Sequence, residues 1–352
     1  MSPLPIYGKR PVVLLTNDDG PPSSHSPNIY SFAKLLIQKL GWDVRVVVPA
    51  TQNSWVGKGF AITQIIDANY FYPLEPDGLK GEITTKRRPL KEGESMEWVL
   101  LSGTPSTCAN IALHNIYPGE IDLLISGPNH GRNSSTAFAL SSGTIGAALA
   151  GALSVPIPGP SPDVPSLHTE HMPCIAVSYG VVTRPVADST LELATDVAVD
   201  VCKALFDDWG HEGGDDRNPI QLYSVNIPLV ESAITKENRK VCFTTMWRNT
   251  YGRLFKETSQ VTNKDYNPGD DPNAAAKAAR GKEEGADQLR FRFAPNLQPM
   301  ILPSVDQLPE GSDAWAFAHG YTSVTPIRAE YAGLYDGGSG FGSTGERFWS
   351  SL

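Results

Sequence analysis

Along the first half of the chain, apolar residues come in short unbroken blocks separated by small polar turns. Residues 12–15 form one such block, the pattern required of a parallel strand buried on both faces. It stops at Thr16-Asn17-Asp18-Asp19-Gly20. After a Pro/Ser loop, apolar side chains recur at Ile29, Phe32, Ala33, Leu36, Ile37 and Leu40, with Gly41 behind them. That spacing predicts a helix with a glycine C-cap. Residues 44–48 give the next strand, and strand, helix, strand makes a βαβ unit whose ligands are expected at the carboxyl ends of the strands.

The alternation continues. Residues 98–101 predict a strand, and Thr104-Pro105 an N-cap followed by the first helical position of a helix carrying Cys108, Ile111 and Ala112. A strand over 121–126, a small-residue helix over 145–153, a strand over 175–178, a long helix over 187–206 and a strand over 222–227 follow. Beyond residue 230 the pattern weakens. Residues 241–246 and 289–293 predict strands on either side of a charged insertion, 262–287, whose alanine run 274–279 suits either an exposed helical segment or disorder. A turn and short helix at 312–317 and a strand over 321–327 come next, then a Gly/Ser-rich tail. The predicted fold class is a doubly wound, mostly parallel, three-layer α/β/α sheet in one elaborated domain. Its core spans 1–230, a C-terminal extension with a returning strand spans 231–330, and the tail spans 331–352.

Composition narrows the functions open to this fold. The 29 Lys and Arg against 38 Asp and Glu give a net charge of -9, which disfavours a nucleic-acid scaffold. The densest basic run, Lys86-Arg87-Arg88, is followed by Glu92, Glu94 and Glu97 and reads as a solvated hairpin or loop edge. The 32 Gly and 29 Pro stay below low-complexity levels. Cys108, Cys174, Cys202 and Cys242 show no CxxC spacing, so they are expected as buried or half-buried thiols of a reducing compartment. Nothing near Met1 resembles a signal peptide and no apolar run approaches membrane-spanning length, so a soluble, cytoplasmic protein with no membrane partner is expected.

The sharpest chemical feature is the adjacent pair Asp18 and Asp19 at a strand end. Two carboxylates stay ionised side by side only if a cation or hydrogen bonds offset their repulsion, although Asn-Asp-Asp-Gly is also a strong turn former. Ser54 and Asn129 follow other predicted strands, and the topology brings such ends to one edge. The four form an oxygen donor set suited to one hard divalent cation, Mg2+, Mn2+ or Ca2+. Ser142-Gly143-Thr144, with Asn133 nearby, offers backbone N–H groups and hydroxyls at a helix start, as an anion site or simply a serine N-cap. His130, inside the asparagine motif, could shuttle a proton to a leaving alkoxide, but a surface or hydrogen-bonded structural role is the first expectation for His25, His130 and His319, and none is named catalytic. The chain lacks the GxSxG elbow of a serine hydrolase, and after its first strand, where a dinucleotide enzyme needs GxGxxG, it has Asn-Asp-Asp-Gly.

Together, the segments Val13-Leu14-Leu15-Thr16-Asn17-Asp18-Asp19-Gly20, Ser102-Gly103-Thr104-Pro105, Ser126-Gly127-Pro128-Asn129-His130-Gly131-Arg132-Asn133, Ser142-Gly143-Thr144 and Gly320-Tyr321-Thr322-Ser323-Val324-Thr325-Pro326 resemble the SurE survival-protein family. The resemblance implies a metal-dependent phosphatase of nucleoside monophosphates, 5' or 3', and of other small phosphomonoesters. It implies that Asp18, Asp19, Ser54 and Asn129 hold the ion and that Asn133, Ser142, Gly143 and Thr144 contact phosphate. Catalysis would rest on Asp18 or Asp19, by water attack or through a phospho-aspartate. It further implies a homodimer or homotetramer that exchanges C-terminal elements. Pro128, Trp55 and the Pro/Ser loop after Gly20 depart from the family pattern near the pocket, and the extra segments suit a longer, eukaryotic-type branch. A nucleotide or phosphate sensor without turnover is the alternative.

Overall fold

Among the described residues the strands are β1 (Val12–Thr16), β2 (Asp43–Pro49), β3 (Ala68–Pro73), β4 (Gly81–Thr84), β5 (Trp98–Leu101), β6 (Leu123–Asn129), β7 (Cys174–Gly180), β8 (Leu222–Pro228), β9 (Val241–Phe243), β10 (Phe255–Glu257), β11 (Phe291–Phe293) and β12 (Thr322–Ile327). The helices are α1 (Ile29–Leu40), α2 (Pro105–Ile111), α3 (Thr136–Ser141), α4 (Gly143–Ala152), α5 (Asp188–Asp207), α6 (Glu231–Ile234) and α7 (Asp313–Ala318). The computed structural model describes residues 10–154, 171–181, 185–212, 219–257, 289–296 and 304–331. The insertion at 262–287, with its alanine run, lies outside the described residues. So do residues 159–170, one of the extra segments, and all but the first residue of the tail.

Ten strands make one sheet in the order β4-β3-β5-β2-β1-β6-β7-β8-β12-β9. The central six, β5 to β8 in that order, pair in parallel, whereas β3 and β12 run antiparallel to their inner neighbours. Because side chains alternate across a strand, Val13 and Leu15 face the cluster containing Ile29, Phe32 and Leu36 of α1 and Val197 and Val201 of α5. Leu14, between them, faces Cys108 and Ala112 on one side of the sheet's other layer and Ala147 and Ala148 of α4 on the other. Burial from both sides explains the unbroken apolar blocks.

The expected punctuation is present. Gly41 adopts φ +67 and its N–H reaches Ile37 and Leu36 oxygens, while the Thr104 hydroxyl accepts from Thr107 N. The basic run lies beside the β3–β4 edge, where Arg88 binds Glu82 and Glu94 and Arg87 binds Glu97. All four cysteines are free, three buried and Cys242 half-buried. Among the described residues no helix is long and apolar enough to cross a membrane. The C-terminal extension is tied into the sheet: β12 pairs with β8 over five residues, and β9 with β12. Residues 241–246 shorten to the three-residue β9, and β10 and β11 form a separate antiparallel ribbon.

Candidate active site

Chain order reverses between β1 and β6: β2 lies on one side of β1 and β6 on the other. In a doubly wound sheet the crevice beyond the carboxyl ends at such a reversal is where ligands bind. Asp18 and Asp19 leave the end of β1 there, and Asn129 is the last residue of β6. Asn17 shapes the turn. Its amide accepts from Gly20 N at 3.0 Å and donates to Gly20 O at 2.8 Å and to Ser26 Oγ at 3.0 Å. Gly20, at φ +80, completes a turn that most side chains adopt poorly.

Both aspartates are almost fully buried, at 3% and 5% exposure. The Thr144 hydroxyl donates to Asp18 Oδ1 at 2.5 Å, with the Thr144 backbone N–H adding to that contact. Asp19 accepts from Gln52 Nε2 at 3.2 Å, from the His130 backbone N–H at 3.3 Å and from the exposed Ser54 hydroxyl. Burial is the main force holding both carboxyls above the ordinary carboxylate range, Asp18 to about 7 and Asp19 to about 6; the charge of Asp19 adds to the rise at Asp18. Asn53 N donates to Asp18 O at 2.7 Å and Gly57 N to Ser141 O at 2.9 Å, so the loop after β2 bridges the end of β1 and the start of α4.

Gly143 is required by contact. A Cβ there would lie 2.7 Å from Asp18 Cβ and 3.1 Å from Asn53 O. The start of α4 therefore rests directly on Asp18. Ser142 serves as N-cap, its hydroxyl accepting from Ile145 N at 3.1 Å, and the Thr144 hydroxyl is committed to Asp18. Of the expected phosphate turn, the hydroxyls thus support the fold and the aspartate, and Gly143 packs against Asp18 and Asn53.

Asn129 Nδ2 donates to Gly131 O at 2.7 Å, which leaves its carbonyl oxygen to accept or ligate. Asn133 sits one strand further along the sheet edge. Its N–H donates to Asn226 Oδ1 at 2.8 Å and its amide nitrogen to Ser178 Oγ at 2.9 Å. The expected set therefore falls in two adjoining groups, Asp18, Asp19, Ser54, Gly143 and Thr144 over β1, and Asn129 and Asn133 over β6 and β7.

Gln52, Ser178 and Asn226 escaped the sequence reading; the signal for the last two is a polar residue near the carboxyl end of an otherwise apolar strand. His319 stacks on Trp315 and Tyr321. His130 contributes its backbone to Asp19, its ring nitrogen lying 3.4 Å from the Asn28 amide. A cleft of about 570 Å³ opens beside it, lined by Pro27, His130, Pro185, Val186 and Leu191.

Two carboxylates with neutral oxygens fit the preference of a hard divalent cation. Among the described residues no group of three His, Cys, Asp or Glu converges, so a thiolate- or imidazole-rich zinc centre is not what this edge offers.

The model of the survival protein SurE family matches residues 13–253. A Saccharomyces cerevisiae protein named probable tubulin–tyrosine ligase PBY1 is 29% identical over 346 residues, covering 92% of this chain but 41% of its own length. The chain thus spans about two-fifths of that relative. The 5'-nucleotidase SurE of Prochlorococcus marinus is 26% identical over 255 residues, covering 72% of this chain and 75% of its own. The crystal structure of the SurE protein from Aquifex aeolicus superposes with a TM-score of 0.54 at 22% identity, covering 92% of this chain and 95% of that one, a likeness of fold. With the family model matched across most of the chain, and the Asp18–Asp19 edge inside that match, this protein belongs to the SurE family.

Proposed function

We propose that the protein is a divalent-metal-dependent phosphomonoesterase acting on nucleoside monophosphates and other small phosphate monoesters. The observation that carries this reading is the buried pair Asp18 and Asp19 set against the start of α4. Nearby bonds come from neutral donors, and no Lys or Arg side chain among the described residues pairs with either carboxylate. Burying two adjacent carboxylates without such a partner is costly unless a cation joins them.

Asp18, Asp19, Ser54 and Asn129 would hold that cation, which when bound supplies Lewis acidity at a phosphoryl oxygen. The N-terminus of α4 at Gly143 and the amide of Asn133 hold the remaining phosphate oxygens, where helix-start N–H groups favour negative charge. Thr144 fixes Asp18, and Gln52 and the His130 N–H fix Asp19, so neither carboxylate needs to reorganise as charge develops. Asp18 or Asp19 orients the attacking water and accepts its proton; the other route is attack by the carboxylate itself. The cleft beside His130, mainly apolar, suits the organic part of the ester.

The 5'-nucleotidase named for the bacterial relative supports this substrate class. The ligase name of the yeast relative is not carried over, because more than half of that protein lies outside the match. We place the protein in the cytoplasm and infer a homodimer or homotetramer, the β10–β11 ribbon providing the contact.

Phosphate release from a panel of nucleoside monophosphates, after EDTA and then after Mg2+, Mn2+ or Ca2+, tests the reading. Release should stop with EDTA and return with an ion, and Asp18→Asn and Asp19→Asn should each lower kcat by about a hundredfold or more. Saturable nucleotide binding without phosphate release would indicate a sensor instead. Undiminished release in both variants would overturn the mechanism. A phosphorylated aspartate trapped by acid quench would favour the covalent route over water.

A further inference from the structure

The helix between the Asn129–Asn133 loop and the Ser142 turn has an unusual start. No local side chain caps α3. Its first N–H groups are satisfied by residues more than a hundred positions away: Ser135 N by Asp313 Oδ2 at 2.6 Å, Thr136 N by Trp247 O at 2.9 Å and Ala137 N by Asn249 Oδ1 at 2.7 Å. Ser135 itself holds φ +75, one of two non-glycine residues in that region among those described. Such a conformation is strained for a residue with a side chain and persists only where the surroundings impose it.

Asp313 is what imposes it. Its carboxylate, 1% exposed, accepts three backbone N–H bonds, the other two from Trp247 at 2.9 Å and Ala314 at 2.7 Å. The same short helix reaches the loop a second time. The Phe317 ring lies over Gly180, where a Cβ would come within 2.0 Å of it. Phe317 and Phe138 flank the Arg132 guanidinium at 5.2 and 5.5 Å. One returning segment thus grips the loop on both sides of Asn133.

Resting on the phosphatase reading above, we propose that Asp313 is a positioning residue: it sets the Asn133–Ser135 turn and thereby the affinity of the site for phosphate, without touching substrate. A local serine cap would suffice to start α3. A buried carboxylate supplied by the C-terminal segment instead makes the phosphate loop depend on the docking of residues 245–249 and 312–318.

The test compares wild type, Asp313→Asn and Asn249→Ala. Asparagine at 313 presents an N–H to one of the backbone donors, whereas Asn249→Ala removes a single bond of the same clamp. Three readouts are needed: competitive inhibition by inorganic phosphate, the KM and kcat for a nucleoside monophosphate, and Mn2+ affinity by calorimetry. Asp313→Asn should raise both the phosphate inhibition constant and KM about tenfold, with Mn2+ affinity kept within about twofold. Asn249→Ala should raise the inhibition constant about threefold, and it decides the matter if Asp313→Asn does not fold. Unchanged phosphate inhibition, a fall in kcat alone, or a parallel loss of Mn2+ affinity would overturn the inference. A wild type that releases no phosphate and is not inhibited by it would remove the underlying reading as well.

Discussion

Asp18 is held by two neighbours that act in opposite directions. Thr144 pulls it with a hydroxyl, and Gly143 permits that approach by having no side chain. Gly143→Ala puts a methyl group 2.7 Å from Asp18 Cβ, an atom that cannot swing aside without moving the strand end. Displacing a ligand in this way should weaken Mn2+ binding about tenfold, read by calorimetry; equal affinity in the variant would mean that Asp18 is not a ligand. The raised pKa values add a pH signature. A carboxyl that holds its proton more tightly folded than unfolded gives stability that is complete below about 4 and is lost as pH rises through its folded value. In EDTA, the melting temperature should therefore fall between about pH 4 and pH 7, the window set by the values near 6 and 7. Mg2+ should reverse the fall, since a ligand of the ionised native state stabilises it. Asp18→Asn should flatten the dependence.

At the scale of elements, stability and chemistry separate. The Thr104 hydroxyl caps α2 through Thr107 N and donates to Gly59 O at 2.6 Å. Thr104→Ala should cost about 1 kcal/mol in urea unfolding and leave kcat/KM within about twofold, because α2 follows β5, two strands from β1. A large loss of activity there would mean that the site extends across β2. Thr104, Gly41 and Ser142 were legible in the sequence because each cap is set within a few residues of its helix. So were the six central strands, whose apolar blocks need no partner to be recognised. The edge strands β3 and β4 were missed, since Ala68, Glu82 and Ile83 lie exposed and break the pattern. For α3 the reason differs: six residues are too few to show a period, and its start is specified by Asp313, Trp247 and Asn249, which no local window contains. The aspartate pair could be read from its motif, whereas Asn133 was placed but its partners Ser178 and Asn226 were hidden inside apolar strands.

Over the whole molecule, the β10–β11 ribbon is a place where the described residues leave aromatic side chains exposed. Phe255 and Phe293 face each other across it and Phe291 follows on the same face, with exposures of 55%, 46% and 63%. Phe293 also meets Trp55, next to the proposed metal ligand Ser54, at a ring distance of 5.1 Å. A ribbon of two strands is marginal in water without a hydrophobic partner, and three half-exposed phenylalanines on one face favour association. The proposed second copy would cover them. Phe255→Ser with Phe291→Ser leaves the Trp55 contact and the ten-stranded sheet intact, so it should lower the sedimenting mass to that of one 38.0 kDa chain while the main melting transition stays within a few degrees. A double variant that sediments like wild type would place the subunit contact elsewhere. A wild type that sediments as one chain would dismiss the oligomer itself. Because the ribbon reaches Trp55, the monomeric variant also asks whether assembly steadies the proposed metal ligand Ser54: Mn2+ affinity should fall with the mass if it does, and hold if Ser54 is set by its own chain alone.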